Sequence, residues 1–521
     1  MTDSTIEPGA ARKRLLLLAV CLAAAAMPLT FTGSAVALPA IGRALGGSPV
    51  ALNWVTNAFM LTFGSSLMAA GALADIYGRK RVFLTGVAAF GLFSLALVIA
   101  PGIVWFDLMR AGQGIGAAAA FAGGMAALAQ EFEGTPRLRA FSVVGSSFGV
   151  GLSFGPISSG LMIDNFGWRS IYLLVVALAA LAFLLGARTL RETRDPDAAG
   201  LDWPGAISFT SALTLFTYGV LQAPESGWSD PLVAGALAGA ALLFAAFIII
   251  EQRVARPMLD LSLFRYPRFV GVQLLAAAPA YAFVVLLILL PVRFVGIEGM
   301  SEVAAGRLMI ALSAPLLILP IAAGLLTRWF APSAICGSGL MIAAAGLFWL
   351  SQMPMGGNAL ALPMLVIGIG ISLPWGLMDA LAVSVVPTER AGMATGIFST
   401  TRVAGEGVAL ALVSAVLSAL TASQLATAGA PGPTTGAAQR LVTGDLAGAA
   451  SALPNAVAIL VPSYGNAFAM LLWLLTAITV LTAGVVFLSL GRTGMHGNAE
   501  DDEPVSEAAQ QVLCTSEAGQ A

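Results

Sequence analysis

Arg402 and Glu406 stand one helical turn apart inside the apolar stretch FSTTRVAGEGVALALVSAVLSAL (398–420). A charge at the middle of a bilayer costs about 2.5–3.5 kcal/mol on insertion scales, so a membrane-spanning segment keeps such groups only where something offsets that cost. Two chemistries fit. The two residues can form a buried ion pair that locks the helix, or Glu406 can titrate, with burial and the arginine acting on its proton in opposite senses. Asp379, in LPWGLMDALAV (373–383), is a second such acid, with no basic residue within a turn of it in sequence. Asp107 is a third, near a helix end and three residues before Arg110, so that the two share a helix face. A different chemistry is open to Asp75, Arg79 and Lys80 in GALADIYGRKR (71–81), which can cap helix ends and make charge-assisted contacts in a turn. There Gly71 lets two helices approach and Gly78 permits the tight turn.

The elements that must position these groups follow from composition. Hydrophobic residues make up 58% of the chain and charged residues 10%, against about 45–50% and about 25% in soluble domains. A net charge of −2 gives no electrostatic case for nucleic acid. Cys21, Cys336 and Cys514 are scattered, and the one histidine, His496, lies in a polar tail, so neither a metal site nor a disulfide framework is indicated. Arg12, Lys13 and Arg14 precede an apolar run that is too long for a signal peptide and long enough to span. The chain reads as an all-α polytopic membrane protein with fourteen transmembrane helices, at 15–41, 52–71, 82–100, 104–129, 140–163, 169–189, 204–223, 231–250, 268–292, 303–326, 333–352, 359–385, 392–420 and 466–490. Most Lys and Arg fall in the segments this threading assigns to the cytoplasm, which puts both termini there.

An internal echo divides the chain. GALADIYGRKR (71–81) has a degenerate counterpart in GLLTRWFAP (324–332), and EGTPRLRAFSVVG (133–145) in VPTERAGMATGIF (386–398). The expected plan is a cytoplasmic tail (1–14), a six-helix half (15–189), an inserted helix pair with flanking segments (190–267), a second six-helix half (268–490) containing a long outside loop (421–465), and an acidic tail (491–521).

Two further stretches complete a motif set. In DLMRAGQGIGAAAAFAGG (107–124), Arg110 is followed by Gln113 and a face of Gly and Ala; no strand precedes GQGIG, which argues against nucleotide binding. In GVGLSFGPISSG (149–160), Gly151 and Gly155 form a GxxxG face, followed by Pro156 and Gly160. In this order the three stretches resemble the signature motifs of the major facilitator superfamily. Gly71, Asp75, Gly78, Arg79 and Lys80 match its loop motif, Arg110, Gln113 and Gly114 its fourth-helix motif, and Gly151, Gly155, Pro156 and Gly160 its exporter motif on the fifth helix. With fourteen spans, DWPGA (202–206) and GWSDP (227–231), the chain looks like the drug:proton antiporter branch of EmrB/QacA type. The resemblance implies a major facilitator fold and alternating access: Asp75 with Arg79 latching the halves, Arg110 near the proton path, the fifth-helix glycines as a sliding contact, and protons driving efflux without a cofactor.

One departure matters. Many members of the branch carry an Asp ahead of VALP in the first helix; here the matching residue is Thr30, which cannot carry a proton, so Glu406, Asp379 or Asp107 must do so, with Arg110 and Arg402 beside them, or coupling is absent. Arg328 likewise replaces the acid in the echo of the loop motif. Thr30, Thr32, Gln113, Tyr281, Phe283, Trp375 and Met378 are candidates to line a cavity for lipophilic cations, while Arg293 and Arg307 favour anionic cargo or snorkel. The expected activity is export of amphipathic small molecules, giving drug resistance, from a bacterial-type inner membrane, with a periplasmic adaptor an open partner. The alternatives are a dedicated metabolite, antibiotic or siderophore exporter without proton coupling, or a non-transporting sensor. An enzyme lacks its ligand cluster or nucleophile–base pair here, and a primary pump its phosphate loop.

Overall fold

In hydrocarbon every backbone N–H and C=O must be satisfied within its own segment, which a helix achieves and an isolated strand does not. The computed structural model describes residues 8–132, 134–194, 202–254, 259, 261–356, 358–385 and 391–490, and the regular elements among them are helical. Expectations for the acidic tail and for the loop residues 386–390 lie outside the described residues. Thirteen described helices are long and apolar enough to cross a membrane, and Gly134–Phe166, at 33 residues, makes the fourteenth.

The first eight helices are α1 (Pro8–Leu45), α2 (Pro49–Tyr77), α3 (Arg79–Val98), α4 (Ile103–Glu131), α5 (Gly134–Phe166), α6 (Arg169–Thr189), α7 (Trp203–Ser226) and α8 (Pro231–Arg253). Then follow α9 (Pro267–Ile297), α10 (Glu302–Leu326) and α11 (Pro332–Ser351). α12 comes in two pieces, Ala361–Trp375 and Met378–Ser384; after it come α13 (Ala391–Thr427), the short α14 (Thr435–Val442) and α15 (Leu446–Ala452), and α16 (Val457–Leu490). Local signals set several starts. Ser48, Asp202, Asp230 and Ser301 each accept a bond from a first-turn N–H of the helix that follows. Between α2 and α3 the chain turns on Gly78 alone, at a φ of 108° that a side chain rarely tolerates.

Three segments differ from expectation. The ninth span is not regular: Ala280–Val284 and Arg293–Ile297 are π-helical, following Pro279 and Pro291, whose missing N–H groups weaken the regular ladder. The twelfth span breaks after Pro374, at Gly376 and Leu377. The stretch 421–465 is not a long loop. α13 runs on to Thr427, and α14 buries Ala437, Ala438, Leu441 and Val442 against the bundle. Averaging over an Ala-, Gly- and Thr-rich stretch hides that helical spacing.

Helices α1–α6 pack as one half, and α9–α13 with α16 as the other. The inserted α7 touches both halves, lying on α2 and α13. The seam between halves is made by α5 on α10 and α2 on α13. At mid-depth a side chain at Gly64 would collide with the backbone of Ala404, and Ser153 and Ser313 exchange hydrogen bonds (2.7 and 3.3 Å). Toward the face opposite the Arg79 turn, a Cβ at Gly160 would lie 2.5 Å from the Glu302 carbonyl oxygen, and one at Gly306 would lie 2.7 Å from the Ile157 Cα. Beyond them the side chains of Asp164 and Glu302 come within hydrogen-bonding reach. Near the Arg79 face the contacts stop: a methyl at Gly71 or Gly145 would meet nothing within 4 Å. Among the described residues the seam is therefore closed at one face and open around Gly71 and Gly145 at the other.

Overpacking such a contact costs about 1–3 kcal/mol. Gly306→Val is accordingly expected to part the closed face, lengthening the electron-paramagnetic distance between spin labels at the exposed positions Phe166 and Ser301. Gly235→Val on α8, where nothing lies within 4 Å, should leave that distance unchanged.

Candidate functional site

The first-half site is built around Arg110, which is fully buried on α4. Its Nε donates to the Val55 carbonyl of α2 (2.7 Å), and its Nη1 donates to Gln113 Oε1 (2.5 Å) and to Thr30 Oγ1 on α1 (3.3 Å). The guanidinium carbon lies 4.7 Å from the centre of the Phe59 ring. Gln113 Nε2 donates in turn to Thr30 Oγ1 (3.3 Å) and Ser94 Oγ (2.7 Å). Thr30 thus sits where a carboxylate would meet the guanidinium directly, and it offers only a hydroxyl. Nη2 has no hydrogen-bond partner, and neither does the buried Oδ1 of Asp107 one turn away. Asp107, expected near water, therefore turns one oxygen into the protein and is the acid within electrostatic range of Arg110. Thr32 donates to the Pro28 carbonyl (2.8 Å) and lies where a side chain on Gly155 would go.

In the second half, the pairing anticipated within α13 is replaced by one between helices. Arg402 Nη1 lies 3.5 Å from Asp379 Oδ1, although Asp379 has no basic neighbour on its own helix. The break after Pro374 makes this possible: Asp379 falls in the first turn of the restarted helix, beside α13, where the helix dipole also favours an acid. The Arg402 guanidinium lies 5.6 Å from the Phe398 ring centre and 5.8 Å from that of Trp375. Phe283 packs edge-on against Trp375 (6.3 Å), and Met378 is fully buried. Tyr281 shares a hydrogen bond with Thr482 on α16 instead (2.6 Å). Glu406 is 5% exposed and, among the described residues, makes neither a hydrogen bond nor an ion pair.

The loop motif makes its contacts inside the first half. Arg79 binds Asp75 (3.1 Å) and Gln130, and Lys80 donates to the Ala187 carbonyl (2.9 Å). Arg12 joins Glu131 and the Thr189 carbonyl nearby. Among the described residues none of these partners lies in the second half, which fits a face where the halves are parted.

The exporter-motif glycines divide between two surfaces. Gly151 and Gly155 face α1, against Ala25 with Pro28 and against Thr32 respectively, and only Gly160 lies on the seam. At 3.6 residues per turn, the five-residue step from Gly155 turns Gly160 about 140° round α5. Arg293, expected to favour anionic cargo or to snorkel, instead has a partner at the end of its own helix. It pairs with Glu298 at 2.6 Å, both side chains buried, with its guanidinium 4.9 Å from the Phe468 ring centre. A five-residue spacing does not pair on a regular helix; the π-helical turn supplies the geometry.

Two six-helix halves that close at one face, with charged side chains buried near the seam, define a secondary membrane transporter. The chain belongs to the Major Facilitator Superfamily, whose model matches residues 20–410. It is 32% identical over 388 residues to the multidrug resistance protein Stp of Mycobacterium tuberculosis (strain CDC 1551 / Oshkosh), covering 74% of this chain and 72% of that one. It is 33% identical to the puromycin resistance protein pur8 of Streptomyces alboniger, covering 78% and 82%. In fold it resembles the crystal structure of a bacterial homolog to the human lysosomal transporter Spinster, with a TM-score of 0.62 at 16% identity over 93% of this chain and 98% of that one.

Arg110→Lys keeps the charge but cannot reach α2, α1 and Gln113 together. It is expected to destabilise the detergent-solubilised protein by about 1–3 kcal/mol, the cost of buried partners left unmet. Arg402→Gln, which breaks a pair whose acid is 62% exposed, should cost less than about 1 kcal/mol. Thermal unfolding of the two variants side by side checks the contrast.

Proposed function

We propose that the chain exports amphipathic small molecules by antiport with protons, with the Arg79 face toward the cytoplasm. The closed face is then the outer one, and the arrangement described above is ready to take up cargo from inside. Orientation rests on the basic residues gathered at that face. Export rests on the relatives, one named for multidrug resistance and one for resistance to puromycin.

The observation that carries the coupling is Glu406. A buried carboxylate with no hydrogen bond is costly, and Arg402, its nearest cation in sequence, is taken up by Asp379. A proton removes that cost, and so does a cationic cargo. Because either one neutralises the same group, binding one excludes the other, which is the requirement for antiport. Trp375 and Phe398 beside Arg402 supply aromatic surface for the apolar part of the cargo.

The test uses purified protein in liposomes with an interior pH dye and ethidium as cargo. Wild type is expected to move protons with ethidium, and Glu406→Gln to bind ethidium while coupled proton flux disappears. Normal coupling in the variant would assign Glu406 a structural role and move the proton to Asp107, whose Oδ1 is buried without a hydrogen bond one turn from Arg110. If wild type moves ethidium without protons, the antiport reading fails. Competition between ethidium and puromycin for the same flux separates a broad exporter from a dedicated one.

A further inference from the structure

At the Arg79 face a groove of about 640 Å³ opens between helices of the second half. Tyr266 and Arg268 line it from the start of α9, Val385 from beyond α12, and Val485, Leu488 and Ser489 from the end of α16. Three observations say what would fill it. Arg268 is half-buried and, among the described residues, has neither a hydrogen bond nor an ion pair. Ser489 lines the same end, its unbonded Oγ packed against Gly271, and Tyr266 is 42% exposed beside Arg268. Most of the remaining lining is apolar and continuous with the outer surface of α16, where Ile478, Leu481, Val485 and Leu488 are 36%, 70%, 40% and 70% exposed. Their spacing of three, four and three residues sets them in one stripe along the helix.

A guanidinium at the end of a transmembrane helix, next to hydrocarbon, calls for an anion of matching geometry. A phosphodiester accepts two parallel N–H bonds from arginine and has further oxygens for the hydroxyl of Tyr266. A free phosphate would satisfy the polar end alone and leave the apolar stripe uncovered. We propose that this groove binds one anionic phospholipid, with its phosphate on Arg268 and its acyl chains along the α16 stripe. The occupant ties α9 to α16 at the face where the halves are parted. The site stands apart from cargo and proton coupling, and it holds whether or not the antiport reading does.

The full-length protein, reconstituted with mixtures of phosphatidylglycerol and phosphatidylcholine, tests it by native mass spectrometry and thermal unfolding. Wild type is expected to retain one phosphatidylglycerol and to melt higher as that lipid is added. Arg268→Gln should weaken retention about fivefold, the equivalent of about 1 kcal/mol for one basic contact, and Arg268→Lys should keep most of it. Arg253→Gln, which removes a charge of the same face at the end of α8, should change nothing. Equal losses for Arg253→Gln and Arg268→Gln would mean diffuse surface charge, and the site would be refuted. A melting temperature lowered by Arg268→Gln in every lipid alike would place the arginine's partner within the protein and also overturn the proposal. So would full protection by inorganic phosphate in neutral vesicles.

Discussion

A charge carried into the bilayer has to be solvated by protein, and that constraint organises this molecule. Arg110 is the clearest case. With no water around it, the guanidinium is met by a backbone carbonyl of α2, a hydroxyl of α1, an amide on its own helix and an aromatic face, with only Nη2 left unbonded. Those four groups come from three helices, so holding the charge also fixes how α1, α2 and α4 pack. Arg293 with Glu298 does the same for the second half through a π-helical turn. Glu406 and Asp107 Oδ1 are, by contrast, carboxylate groups left without a hydrogen bond among the described residues.

The seam follows a second physical rule, that without water between helices the close approach of small residues supplies the attraction. Gly64, Gly160 and Gly306 bring backbones together at mid-depth and at the closed face. Contacts built from glycines carry no interlocking side chains, so they can part without unpicking a packed core. α7 lies across α2 and α13 and keeps lipid away from part of that seam, which gives the inserted pair a place in the working unit.

Much of this was legible in the sequence, and what was missed shares a cause. Span number, the extra pair and the grouping of Arg110 with Gln113 follow from hydropathy, motif order and helical spacing, while the contact of both with Thr30 is seen only in the structure. The partner of Arg402 was not legible because i to i+4 spacing proposes partners on one helix, while the actual partner depends on the break at Gly376 and Leu377, less than one turn before Asp379. Arg293 and Glu298 escaped notice because their spacing fits no regular helix. α14 and α15 were hidden by a composition that reads as loop until its burial is known. Each miss lies where backbone departs from a regular helix, and no periodicity rule extends there.

Those departures are unevenly distributed, and the imbalance bears on how the molecule moves. The helices of the first half run unbroken from α1 to α6, and its buried arginine is anchored to three of them. The second half holds two π-helical turns in α9, a tighter turn at Ala314–Leu317 within α10, and the break in α12. Such points leave backbone groups less well paired and take up changes in dihedral angle at lower cost than a regular helix does. Asp379, Arg402, Glu406 and Trp375 all lie on or beside them. Under the proposed coupling, a change of charge at Glu406 would act on the more deformable half, next to a break where a small rotation would exchange the partner of Arg402, with the first half as the rigid body against it.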